Sequence, residues 1–257
     1  MAQNIQNTKR PDPIPERVGE GMFTDREVEM ASLMEWVQWV ADKFGRSRAL
    51  VSHRRHGKTA ILERLYNRLF WERDDVMPFY FEITEGIKRI WLQELAEMYL
   101  LTFVQQFLAY RTRDADLAFD PNTSPEQLYT IAQDRDEELV TKTLDYWYKE
   151  NGVSRGIKIS RILHNIPHYF ASKTKLSIIV MFDEFQRLDQ VLYYDEEMTR
   201  QCHDYTDTYS AAAESSQAPM LIAGSQVTIL TQKALAGAMT GRVGTKYIKR
   251  LPLTGAA

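Results

Sequence analysis

Apolar residues fall at Met30, Leu33, Met34, Val37 and Val40, a spacing that keeps one helix face apolar. It predicts a helix to about Phe44, capped by Thr24 or Asp25 and ended by Gly45. Glu27 and Glu29 stand in its first turn, where the helix dipole favours negative charge. A short strand over 48–51 follows, then a helix over about 58–71. Residues 77–83, MPFYFEI, have the aromatic and β-branched content of a strand. A long, mostly helical stretch runs over about 88–172, broken at Asn122 and Pro125 and again at Asn151-Gly152. The unbroken apolar run LSIIVMF over 176–182 reads as a strand covered on both faces. A helix over 195–216, a strand over 219–223, a helix over 227–239 and a last strand over 245–251 complete the pattern. Residues 1–20 are polar, with Pro11, Pro13 and Pro15 close together, and read as an extended or disordered lead. Alternating strands and helices predict an α/β fold with five strands in a mainly parallel sheet. Ligands in such folds bind at the carboxyl ends of the strands.

Composition narrows the functional classes. The 257 residues are 44% hydrophobic and 26% charged, ordinary for a globular chain. The net charge of −3 lacks the basic excess of a dedicated nucleic-acid binder. Cys202 is the only cysteine, which excludes an intrachain disulfide and fits a reducing cytosol. The amino terminus has no apolar run for a signal peptide, and no stretch approaches the roughly 18 apolar residues that span a membrane. The expected location is cytoplasmic. His164, His168 and His203 show no metal-ligand spacing, and the apolar positions over 90–110 fit core burial.

The chemistry concentrates between the first strand and second helix. Ser52-His53-Arg54-Arg55-His56-Gly57-Lys58-Thr59 matches the phosphate-loop pattern G-x-x-x-x-G-K-[ST], with Ser52 in place of the first glycine. Residues 52–60, through Ala60, form the expected nucleotide-binding segment. Its backbone N–H groups and the helix N-terminus suit phosphate oxygens. Lys58 is placed to contact the β- and γ-phosphates, and the Thr59 hydroxyl to ligate magnesium. Gly57 allows close approach of backbone to phosphate. Such a loop needs an acidic partner at the end of a buried strand, and the 176–182 run ends in Asp183-Glu184. Asp183 is the expected magnesium carboxylate, through a water, and Glu184 the group that activates the attacking water.

These motifs together resemble the archaeal-type ATPases and their relatives in the STAND branch of P-loop NTPases, close to AAA+ proteins. The matching residues are Phe23-Thr24-Asp25-Arg26-Glu27 ahead of the first helix and Arg54-Arg55 with Gly57-Lys58-Thr59 in the loop. Asp183-Glu184-Phe185-Gln186 after the acidic strand and Gly224-Ser225 after the next also match. The resemblance covers roughly 20–253, with 88–172 matching only loosely. It implies one three-layer P-loop NTPase domain over 21–257, with an enlarged helical insertion over about 88–172. It implies ATP or ADP with Mg2+ as cofactors and a sensor role near the γ-phosphate for Ser225 or Gln226. It also implies an arginine acting on nucleotide, sometimes across a subunit boundary, and Arg242 holds that position. Members of the group continue into a helical lid or winged-helix domain. The sequence ending at Ala257 is therefore expected to be the N-terminal part of a longer protein, with the C-terminal lid absent.

The expected function is Mg-dependent ATP binding and hydrolysis by a molecular switch, with ATP as ligand and a homo-oligomer or fused effector domain as partner. Two alternatives stay open: a non-hydrolysing nucleotide-binding scaffold, and a DNA-handling ATPase. The second is permitted by Arg46, Arg48, Arg54 and Arg55 but opposed by the net charge. A kinase fits less well, because an Asp-Glu pair suits water as nucleophile. Adenine is preferred because no Asn/Thr-Lys-x-Asp element for guanine follows the Gly224-Ser225 strand.

Overall fold

The computed structural model describes residues 10–17, 26–52, 56–150, 157–224 and 241–248. Along the chain come α1 (Glu27–Ala41), β1 (Arg48–Val51), α2 (Lys58–Glu72), β2 (Val76–Glu82), β3 (Ile90–Trp91), α3 (Leu92–Thr112), α4 (Ala115–Ala118) and α5 (Pro125–Asp134). They are followed by α6 (Glu138–Glu150), α7 (Ile157–Lys173), β4 (Ser177–Asp183), α8 (Leu188–Val191), β5 (Leu192–Tyr193), β6 (Met220–Gly224) and β7 (Gly244–Tyr247).

The five expected strands form one parallel sheet, in the order β2-β4-β6-β1-β7. The central strands β4 and β6 are buried along their whole length, as continuous apolar runs require. The register sets Glu82 beside Asp183 and Val51 beside Gly224, so the carboxyl ends of four strands line up along one edge. Helices α1 and α2 pack together on the sheet, and α3 and α7 form the other helical layer. Helix α3 also closes the β2 edge. Its buried Gln106 side chain accepts from the Tyr80 N–H and donates to the Tyr80 carbonyl, both at 2.8 Å. An edge that would otherwise be open to pairing is thereby satisfied by a side chain.

Several elements differ from the sequence expectation. The helix expected over 195–216 is absent; only short 3-10 turns at Tyr205–Ser210 and Ala212–Glu214 occur there. Polar side chains take the backbone donors instead. The Asp195 carboxylate accepts from the N–H groups of Thr199 and Arg200, and Asp189 accepts from the Thr206 N–H and hydroxyl. Such local bonds compete with a helix ladder. Among the described residues the stretch over 88–172 holds five helices, and the expected break at Asn151-Gly152 lies outside them. Pro125 starts α5 rather than only breaking a helix: it occupies the first turn behind a capping box of Ser124 and Gln127. A second, two-stranded sheet of β3 and β5 was not expected. The last strand is Gly244–Tyr247, and 251 lies outside the described residues, as do the 227–239 helix and the Thr24 and Asp25 caps.

Residues 10–17 contain no helix or strand and lie along α2 as a strap. Asn67 donates to the Ile14 carbonyl at 2.9 Å and accepts from the Ile14 N–H at 3.0 Å. Trp71 donates to the Pro11 carbonyl, Arg64 pairs with Glu16, and the Ile14 side chain is buried.

Candidate functional site

Gly57 caps the N-terminus of α2 at φ 79° and ψ 20°, a left-handed conformation that disfavours any side chain. Apart from its chain neighbours and the helix's own backbone, no atom of the described residues lies within 4 Å of where a Cβ would stand. One residue on, Lys58 is buried and its Nζ donates to the Ser52 carbonyl at 3.0 Å and the Ser52 hydroxyl at 3.2 Å. Burial pushes the ammonium below its ordinary pKa, while Glu184 and Asp183 pull it upward. Ala60 is buried in the first turn of α2. His53, Arg54 and Arg55 lie outside the described residues. The His56 carbonyl accepts from the buried Arg26 guanidinium at 3.1 Å, which ties the loop to the start of α1. Arg26 also pairs with Glu29 at 2.9 Å.

The Thr59 hydroxyl donates to Asp183 Oδ2 at 2.6 Å, across 124 residues of sequence. The other oxygen, Oδ1, accepts from the Glu184 N–H at 2.9 Å. Asp183 is almost fully buried. Burial raises its carboxyl pKa; the Thr59 and Glu184 hydrogen bonds lower it, and the Glu82 and Glu184 charges raise it. Glu184 turns the chain at φ 50° and accepts from Gln186 Nε2 at 2.6 Å. A hydroxyl beside a carboxylate is a hard-oxygen pair, the chemistry magnesium takes. No group of three or more His, Cys, Asp or Glu that could hold a metal alone occurs among the described residues.

Arg242 is not brought to this site within the chain. It pairs with Glu214, two residues before β7. The parallel register sets Gly244 beside Arg48, at the amino end of the sheet, whereas Ser52 follows its carboxyl end. Ser225 lies outside the described residues, although Gly224 ends β6 beside Val51. Arg48, read as part of a basic loop, instead stacks over the Trp36 and Trp39 rings at 5.4 and 5.5 Å.

Four further residues meet the site. Gln186 holds Glu184, and Arg26 holds the loop; both lie in the motifs already singled out. Tyr80 and Glu82 do not. The Tyr80 hydroxyl stands 3.3 Å from both Asp183 Oδ2 and Glu82 Oε2. Burial, then the charges of Asp183 and Glu82, push its pKa far up, so the phenol keeps its proton. Glu82 was not singled out, although a carboxylate near the end of a strand is the signal that could have marked it. Nothing marked Tyr80 among its aromatic neighbours.

No protein-family model matches the chain, and no curated protein matches it. Similar solved structures include the Aeropyrum pernix ORC1 protein in complex with DNA, at 13% identity and TM-score 0.45, over 93% of this chain and 48% of that one. Cdc6p from Pyrobaculum aerophilum is similar at 12% identity and TM-score 0.42, over 91% and 48%. The Aeropyrum pernix ORC2 protein in ADPNP–ADP complexes is similar at 14% identity and TM-score 0.49, over 94% and 51%. The chain spans about half the length of each. No helix among the described residues is long and apolar enough to cross a membrane.

Proposed function

We propose that the chain is a magnesium-dependent ATP-binding and ATP-hydrolysing P-loop domain of AAA+-like type, acting as a molecular switch. The observation that carries this reading is the 2.6 Å hydrogen bond from Thr59 to Asp183. It joins the loop and the acidic strand at the carboxyl edge of a parallel sheet, where nucleotides bind in such folds. The left-handed Gly57 exposes loop backbone, and the α2 N-terminus adds its positive dipole end to the phosphate site. Lys58 exchanges its Ser52 contacts for phosphate oxygens. Thr59 and Asp183 would hold magnesium, which when bound draws charge from the phosphate oxygens. Glu184, beside this pair, takes the proton of the attacking water. Ser225 is proposed to sense the γ-phosphate, and Arg242 to act on the nucleotide of a neighbouring copy.

The full chain should release phosphate from ATP with magnesium. Lys58→Ala should lose nucleotide binding. Glu184→Gln should retain it while turnover falls about a hundredfold or more. Normal turnover by Glu184→Gln would remove Glu184 from its role. The scaffold reading has one observation in its favour: Gln186 already engages the Glu184 carboxylate at 2.6 Å. A single-turnover assay separates the two, since ATP held unhydrolysed for hours by the wild-type chain favours the scaffold.

A further inference from the structure

Glu82 ends β2 in register with Asp183, on the neighbouring strand. The single Tyr80 hydroxyl lies between them at 3.3 Å from each, so the two carboxylates stand within one hydroxyl's span. Arg17 covers Glu82 from the strap. Its guanidinium reaches Glu82 Oε2 at 2.8 Å and Glu63 Oε1 at 2.9 Å, and its N–H donates to Glu63 Oε2 at 3.0 Å. Glu63 is nearly fully buried on α2, whereas the Glu82 side chain keeps 19% and the Arg17 side chain 57% of its surface exposed. Arg17 is therefore the most accessible member of this cluster. The strap behind it is fastened to α2 through Asn67, so Arg17 is delivered to this point rather than arriving by chance.

We infer that Glu82 is a second carboxylate of the magnesium site, acting through its field rather than as a ligand, and that Arg17 of the strap masks it. This rests on the nucleotide reading above. A negative charge beside a divalent cation tightens its binding, and a cation paired to that charge cancels part of the gain. The tyrosine sets the geometry. Its one hydrogen cannot serve both carboxylates at once, and Arg17 satisfies Glu82, leaving the phenol to Asp183. The strap thereby sets how strongly the site holds its metal, and anything that lifts residues 10–17 from α2 raises metal affinity without touching the phosphate loop.

The two substitutions have opposite expected signs, which a loosened fold does not produce. Mn2+ is the probe, with its binding read by electron paramagnetic resonance on the full chain loaded with a non-hydrolysable ATP analogue. Glu82→Gln should raise the Mn2+ Kd about three- to tenfold, and Arg17→Gln should lower it by a similar factor. The double variant should lie between the two single variants, because the two charges act on the cation additively. Glu82→Asp keeps the charge and should stay near wild type, which separates charge from packing if Glu82→Gln folds poorly. Analogue binding without metal should be the same in all. An unchanged Kd in Glu82→Gln, or a weakening in both Arg17→Gln and Glu82→Gln, overturns the inference alone. If the wild type binds no metal with nucleotide, or Asp183→Asn binds it equally well, the nucleotide reading fails and this inference with it.

Discussion

Burial displaces the His164 imidazole, and the displacement has a directional consequence. Burial pushes the imidazole from 6.5 down to about 4. The ring stacks on Tyr205, meets Tyr209 edge-on, and lies 2.9 Å from the Thr208 hydroxyl through Nε2. Thr208 gives its one hydrogen to the Tyr205 carbonyl, so Nε2 of the neutral ring must be the donor. A histidine depressed on folding contributes stability that is complete above 6.5 and is lost as pH falls toward 4. Between pH 7 and pH 5 the wild type should lose about 2 kcal/mol more than His164→Gln, read by urea unfolding at both pH values. An equal loss in both would show that His164 is accessible to protons in the folded state. The sequence offered no signal for this environment, since its aromatic neighbours lie more than 40 positions away. The loop chemistry was different. The apolar strands and the helix start that present Thr59 and Asp183 were readable from the sequence pattern, and the structure brings these two residues to 2.6 Å. Tyr80 escaped because a buried tyrosine in an aromatic strand looks like core until its hydroxyl has an address.

At the scale of elements, periodicity located what packing decides and missed what side chains decide. All five strands were placed within a few residues; β4 and β6 were the plainest, because a strand buried on both faces needs an unbroken apolar run. The 195–216 segment failed because Asp189 and Asp195 divert its backbone donors, and only tertiary placement brings Asp189 to Thr206. The strap shows the same limit. Its prolines read as an extended or disordered lead, and Asn67 supplies a paired donor and acceptor to the Ile14 backbone that no local pattern showed. Asn67 is itself buried, so Asn67→Ala leaves both Ile14 groups unsatisfied. The expected cost is about 2 kcal/mol in chemical denaturation. Hydrogen exchange at the Ile14 amide should accelerate, while amides of β4 remain protected. Unchanged exchange at Ile14 would mean that Trp71 and Arg64 hold the strap without Asn67.

At the scale of the whole molecule, a seam of aromatic rings joins the outer helical layer to the site. Phe170 on α7 meets Phe103 and Phe107 on α3, each with ring centres 4.9 Å apart. Phe103 meets Phe79, Phe79 meets Tyr99, and Phe81 meets Phe182, which touches Phe185 just after Glu184. Such continuity invites the idea that the helical layer tunes the proposed nucleotide site. Packing argues otherwise. The hydrogen bonds of the loop, Asp183, Glu184 and Arg26 involve no residue of α7 and hold the site without it. Phe170→Ala should therefore cost about 3–5 kcal/mol of stability through a large buried cavity. Its affinity for magnesium and a non-hydrolysable ATP analogue should stay within about threefold of wild type under conditions where it is folded. Ligand at about a hundred times Kd should restore about 2.7 kcal/mol to both proteins equally. Unequal restoration, or a tenfold change in Kd, would show that the ring seam carries coupling between the helical layer and the site.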